Sequence, residues 1–250
     1  MVKTILTFFT LLILNLVTFG QFNETIRTGR PGQGTGSNAV GKNVLQMQTG
    51  FDKNYCKDYH SNNLNTNIRF GLLERVELNS AWAYQNESLL LENRNGLTLS
   101  SIGLRLHLVD PVKKRPSIGL QLTTRLPIKT GDYSADEFGL KALVSITKSI
   151  SKKSSLLFNL VYLQPNNNQS EYWSYVFNYG FNISEKWGVF IENYTNFTKY
   201  HFDNYWDTGF SYLVNNNLLL DLHGGTSLNK KYSDFFVSIG FSGRIVSLRK

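Results

Sequence analysis

The sequence predicts an all-β chain, an antiparallel transmembrane β-barrel of about twelve strands preceded by a Gly-rich N-terminal arm. Three observations carry this. From residue 44 onward the chain repeats a unit of about ten residues, alternately apolar and polar, followed by a turn. Short turns alternate with longer polar connections, as short periplasmic turns and long outer loops would. Aromatic residues gather near strand ends, where the interfaces of a membrane would hold them.

Composition sets the bounds. The chain has 250 residues, a formal charge of +8, and 17 Phe, 13 Tyr and 4 Trp. A mean hydropathy of -0.24 excludes a multi-helix membrane protein, although an aromatic content of 14 % is high for a soluble domain. One β domain of this length is ordinary. The single cysteine, Cys56, excludes an internal disulfide framework and a multi-Cys metal site. Basic residues are scattered apart from Lys113-Lys114-Arg115 and Lys152-Lys153, both in expected turns. Without a concentrated basic face interleaved with aromatics, nucleic acid is not an expected partner.

Residues 1–20 read as a secretory signal peptide: Lys3, an apolar run from Ile5 to Phe19, then Gly20 before the expected cleavage site. An uncleaved anchor helix is the competing reading, but the run is short for spanning and carries Asn15. Loss of Lys3 leaves 25 of the 26 basic residues against 18 acidic ones, a charge of +7. Residues 21–43 are Gly-rich and lack periodicity, with Arg30-Pro31-Gly32-Gln33 at their centre. A phosphate-cradling loop would need a flanking strand and helix and a Lys-Ser/Thr pair, which are missing. This arm is expected at the periplasmic mouth or folded into the interior as a plug.

The barrel is expected over residues 44–246, and one hairpin shows its logic. In residues 67–79, Ile68, Phe70, Val76 and Leu78 share one face, and Asn67, Arg69, Glu77 and Asn79 share the other. A turn at residues 71–74 would set Arg69 opposite Glu77. The alternation then recurs in order. Leu45, Met47 and Phe51 precede the hairpin, whose first strand begins at Leu64 and whose second runs on to Trp82 and Tyr84. Ile102 to Leu108, Ile118 to Leu122 and Leu140 to Ile146 follow. The second half adds Leu156 to Tyr162, Trp173 to Phe181, Trp187 to Ile191, Trp206 to Tyr212, Leu218 to Leu222 and Phe235 to Phe241. Residues 71–74, 149–153, 183–186 and 215–217 make short turns, with 109–116 intermediate. Residues 52–63, 85–95, 126–137, 164–171, 195–205 and 226–233 make long loops. A girdle is expected from Trp82, Tyr84, Tyr162, Trp173, Trp187, Tyr205, Trp206 and Tyr212. A secreted soluble β-sandwich or lipocalin-like barrel is the competing architecture.

In a membrane barrel the apolar parity meets lipid and the polar parity lines an enclosed interior. That interior collects Arg69, Arg105, Arg125 and Lys141 against Glu77, Glu192, Asp207 and Asp221, among amides such as Gln46, Gln48 and Asn159. Enclosed charges must be paired or wetted. The balanced signs therefore point to an ion-pair network filling a narrow lumen and setting selectivity along a solute pathway. A network that only holds the barrel closed competes with this. Wide aqueous channels belong to barrels of about sixteen strands.

Of the four histidines, His60 and His201 fall in expected loops, and His107 and His223 on interior parity. No metal-ligand spacing accompanies them, so no metal and no cofactor is expected. A lipid hydrolase would need a Ser nucleophile beside a His base. His107 with Ser101, or His223 with Ser211, is conceivable, but nothing in the spacing selects either pair, and no catalytic residue is assigned. The alternatives to a channel are a lipid-acting enzyme and a non-conducting structural barrel.

These marks resemble an outer-membrane transporter family named for the meta pathway of phenol degradation. They are Arg30-Pro31-Gly32-Gln33, Gly41, Gln46-Met47-Gln48-Thr49-Gly50-Phe51 and Ile68-Arg69-Phe70-Gly71-Leu72 running into Arg75-Val76-Glu77-Leu78. Leu126-Pro127, Phe190-Ile191-Glu192, Asp207-Thr208-Gly209 and Leu220-Asp221 before Gly224-Gly225 follow in order. The likeness spans about residues 26–245. It implies an outer-membrane channel passing small, hydrophobic or aromatic molecules. Its expected partners are outer-membrane lipid, a small-molecule solute and the barrel-assembly machinery. Gly29 stands where the family pattern carries Asp. Phe241 and Ile245 lie near the end of the last expected strand, and residues 246–250 follow as a tail.

Overall fold

A computed structural model describes residues 23–56, 59–89, 92–111, 115–129, 131–166, 170–198, 202–228 and 235–246. The expected signal peptide, His201 and the last four residues of the tail lie outside the described residues. Twelve strands follow one another among them: β1 (Leu45–Tyr55), β2 (Tyr59–Leu73), β3 (Val76–Leu89), β4 (Asn93–Val109), β5 (Ser117–Arg125), β6 (Gly139–Ser149), β7 (Ser154–Gln164), β8 (Tyr172–Asn182), β9 (Trp187–Phe197), β10 (Phe202–Asn215), β11 (Leu218–Ser227) and β12 (Phe235–Ile245). Each pairs antiparallel with its chain neighbours, and β1 pairs with β12 over its whole length from Leu45↔Ile245 to Tyr55↔Phe235. Closure leaves no sheet edge with unpaired backbone groups, the condition for spanning hydrocarbon with strands.

The wall is inverted relative to a soluble barrel. On β12, Ile239 is 60 % exposed on the outside while its neighbour Ser238 is completely buried. Leu104, Leu122 and Leu220 face outward beside the inward Arg105, Gln121 and Asp221. The apolar parity read from the sequence is thus the outer surface. Trp82, Tyr84, Trp173 and Trp206 stand exposed toward the end with the longer hairpins, and Trp187 packs on Tyr212 at the other end with ring centroids 4.8 Å apart. Tyr205 departs from the expected girdle. It shares the inward parity of Asp207 and stacks on Tyr194 inside the barrel, with centroids 5.0 Å apart.

Two further expectations change. Arg69 pairs across the ladder with Asn79, and Glu77 with Gly71, so the two charges are diagonal neighbours. The irregularity between Gly71 and Leu73 takes up the extra residue that shifts the register. The polar stretches 52–63, 85–95 and 195–205 are also largely strand. β1 runs to Tyr55 before β2 begins at Tyr59, and β3 runs to Leu89 before β4 begins at Asn93. Polar side chains such as Asn86 and Ser88 face outward there. Ladder pairing does not depend on apolar side chains, so strands rise past the aromatic level as polar hairpins. Residues 126–137 do form a loop, clipped by a bridge between Ile128 and Ala135.

Candidate functional site

The lumen is the site, and residues 23–43 lie inside it. The arm begins at the end with the short turns, where Ile26 N–H bonds to Asn216 O at 2.9 Å and Arg244 binds the carbonyls of Asn23 and Glu24. It then travels round the inner wall. Arg30 reaches β11 and β12, Gln33 and Gly34 reach β9, Thr35 reaches β6 and β7, Ser37 reaches β4 and β5, and Val40 reaches β3. At Gly71 it comes back to β2 and leads straight into β1.

Each docking point is a polar side chain that alternation aims inward. Arg30 donates to both oxygens of Asp221, at 2.9 and 3.3 Å, and to Ser238 Oγ at 2.8 Å. Its guanidinium occupies a slot between Gly50 and Gly240, which oppose each other across the β1–β12 seam, and a Cβ on either glycine would strike it. Pro31 follows and lines the cavity beneath the arm. Glu192 accepts the backbone N–H groups of Gln33 at 2.6 Å and Gly34 at 3.0 Å, and the amide of Asn178 at 2.9 Å. Gly32, at φ +90°, makes this close approach: a Cβ there would lie 2.9 Å from the Phe190 ring. Asn159 accepts Thr35 N–H at 2.7 Å and donates to Thr35 O at 2.9 Å. His107 contacts Ser37 O and Asp110 at 3.0 Å each, and Arg75 also binds Asp110. His107 thus holds the arm down.

All eight lumen residues expected from the sequence lie on the inner parity, where they fall into four groups. Arg69 and Glu77 form a bidentate pair at 2.7 Å, fully enclosed, and Glu77 also accepts Val40 N–H at 3.1 Å. Asp221 belongs to Arg30. Asp207 stands beside Glu192 in the ladder, and neither of its buried oxygens has a hydrogen-bond partner among the described residues. Arg105, Arg125 and Lys141 lie on β4, β5 and β6, half the circumference away from β10 to β12.

Several participants were missed. Asp52 accepts from Ser238 and Asn65; its even parity continues Gln46 and Gln48, but the polar run after Phe51 predicts a loop where the structure has strand. The contacts of Ser37, Ser117 and Arg27 with the rest of the lumen carry no sequence signal. Two cavities remain on either side of the arm. One of about 580 Å³ opens at the short-turn end, and one of about 280 Å³ lies at the hairpin end beside Tyr194, Tyr205 and Phe236. Among the described residues no group of three His, Cys, Asp or Glu side chains is placed to hold a metal ion.

The family model described as "Putative MetA-pathway of phenol degradation" matches residues 28–245. No curated protein matches the chain by sequence. Among solved structures, the COG4313 outer membrane channel from Pseudomonas putida F1 superposes with a TM-score of 0.67 at 10% identity, covering 88% of this chain and 100% of that one. The CymD monoaromatic hydrocarbon channel gives 0.54 at 10% identity, with 92% and 98% coverage. The KdgM porin gives 0.54 at 10% identity, with 78% and 98% coverage. At such identities these likenesses concern the fold.

Proposed function

The chain belongs to the family described by the MetA pathway of phenol degradation, and from that membership we propose that it is an outer-membrane channel for small, apolar or aromatic molecules, its lumen narrowed by residues 21–43 acting as a plug. The observation that carries this reading is the arm itself. It is bonded all round the inner wall, yet cavities persist on both sides of it. A barrel that needed only closure could have filled its interior with side chains. Lipid meets the outer wall, and the barrel-assembly machinery inserts the chain. Arg69, Glu77, Arg105, Arg125, Lys141, Glu192, Asp207 and Asp221 line the solute pathway, with Arg30 as the latch of the plug. The fold of a channel named for monoaromatic hydrocarbons supports the solute class. No residue is assigned a catalytic role.

The test is single-channel recording in planar bilayers, comparing refolded residues 21–250 with residues 44–250. Folding is checked first by the mobility difference between boiled and unboiled samples. The full chain is expected to give small steps and the truncated barrel larger ones. Two folded barrels that both pass neither current nor a small neutral solute in liposome swelling would overturn the channel reading.

A further inference from the structure

The enclosed charges of the lumen are balanced in sign but separated in space. Arg30 and Arg69 are matched by Asp221 and Glu77. What remains is sorted by wall. Arg105, Arg125 and Lys141 stand on the adjacent strands β4, β5 and β6; Asp52, Glu192 and Asp207 stand on β1, β9 and β10. None of the three cations forms an ion pair among the described residues, whose pairs fall elsewhere. Glu77 is beside Arg105 in the ladder, but both its oxygens are taken by Arg69. Arg105 instead donates to Gln121 Oε1, at 3.1 Å from Nε, and Arg125 reaches only Thr98 O at 3.5 Å. Lys141 opposes Thr123 and lies within electrostatic range of both arginines. Arg125 and Lys141 are half-buried on the inward parity of β5 and β6.

This row does not stop at the arm. Arg105 also lines the 580 Å³ cavity at the short-turn end. There it is joined by Arg27 of the arm, Lys152 and Lys153 of the β6–β7 turn, Lys186 of the β8–β9 turn and Arg244. Only one carboxylate, Glu185, is in that lining. Enclosed cations without counter-ions are unfavourable, and an entering anion relieves them. A lining of one sign with low-dielectric walls also concentrates ions of the other sign.

We propose that Arg125, Lys141 and Arg105 form an anion track, running down the β4–β6 wall into the basic cavity below the arm, that selects small organic carboxylates. This deepens the channel reading and rests on it. The apolar body of such a solute suits a narrow lumen, and its carboxylate supplies the counter-charge that the wall lacks.

The test is equilibrium dialysis of the refolded full chain with three probes of one shape: benzoate, benzamide and benzylammonium. Benzoate is expected to bind at least tenfold more tightly than benzamide, with benzylammonium weakest. Lys141→Gln and Arg105→Gln are each expected to cut the benzoate-over-benzamide ratio at least threefold. If Arg105→Gln loses its heat-modifiable mobility, the half-buried Lys141→Gln carries the test alone. Equal binding of benzoate and benzamide, a preference for benzylammonium, or an unchanged ratio in Lys141→Gln would overturn the track. Liposome uptake of benzamide in that case would leave the channel standing; exclusion of all three probes would remove both.

Discussion

Replacing Arg30 by Met tests how firmly the arm is held. Methionine keeps a long, unbranched chain for the slot between Gly50 and Gly240 but removes the hydrogen bonds to Asp221 and Ser238. The side chain of Asp221 is fully enclosed. With the arm in place, the variant therefore buries a carboxylate that has lost its cation, at a cost of about 3–5 kcal/mol. With the arm released, water reaches Asp221 in both proteins and the difference vanishes. The full cost thus falls on the docked state. At about 1.4 kcal/mol per decade, the released population rises by roughly two to three and a half orders of magnitude. Native-state hydrogen exchange read by mass spectrometry reports it. The amides of Gln33, Gly34 and Thr35 donate to Glu192 and Asn159 at 2.6, 3.0 and 2.7 Å and exchange only when the arm leaves the wall. Arg30→Lys, which keeps the charge and loses the planar fork, should fall between the two. Exchange of these amides within threefold of the parent protein, with the strands unchanged, would refute the reasoning.

Glu77→Gln leaves Arg69 enclosed without its carboxylate and should lower barrel stability by about 3–5 kcal/mol, measured as the urea midpoint of the heat-modifiable band. In Gly71→Ala the new methyl meets the carbonyl of Gly41 where the arm returns to the wall. An overpacking cost of about 1–3 kcal/mol is expected, seen as faster proteolysis of residues 23–43. Leu122 is 49 % exposed on the outer face, and Leu122→Arg should cost about 2–4 kcal/mol at membrane depth. The measurement is refolding yield in vesicles beside the parent protein; an unchanged yield would refute the lipid-facing placement.

Much of this architecture was legible because a barrel wall obeys a period of two. The parity that set Ile68 and Phe70 against Arg69 also set Leu104 against Arg105 and Leu220 against Asp221, and each charge expected inside is inside. Strand length was less legible. The sequence marks where lipid ends, at Trp82 and Tyr84, but hydrogen bonding continues through polar residues beyond it. A girdle position and an interior position can also look alike: Tyr205 lies next to Trp206, and parity alone places them on opposite faces. The arm was the least legible part. Its glycines signalled only that no regular element forms, because its path is written in the partners that receive it. Arg30 finds Asp221 191 residues away in the chain, a separation at which no local pattern reports contact.

The slot that receives Arg30 bears on how the sheet is sealed. A ladder between two alternating strands can slide by two residues without turning any side chain to the wrong face, so parity does not fix the registry of β1 on β12. The glycines do. Sliding by two would set Gly50 against Ser238 or Ser242 in place of Gly240, and the gap for the guanidinium would be lost. The docked arm thus favours one alignment of the closing seam over its two-residue neighbours: the register that leaves room for an arginine is the one that Arg30 can occupy.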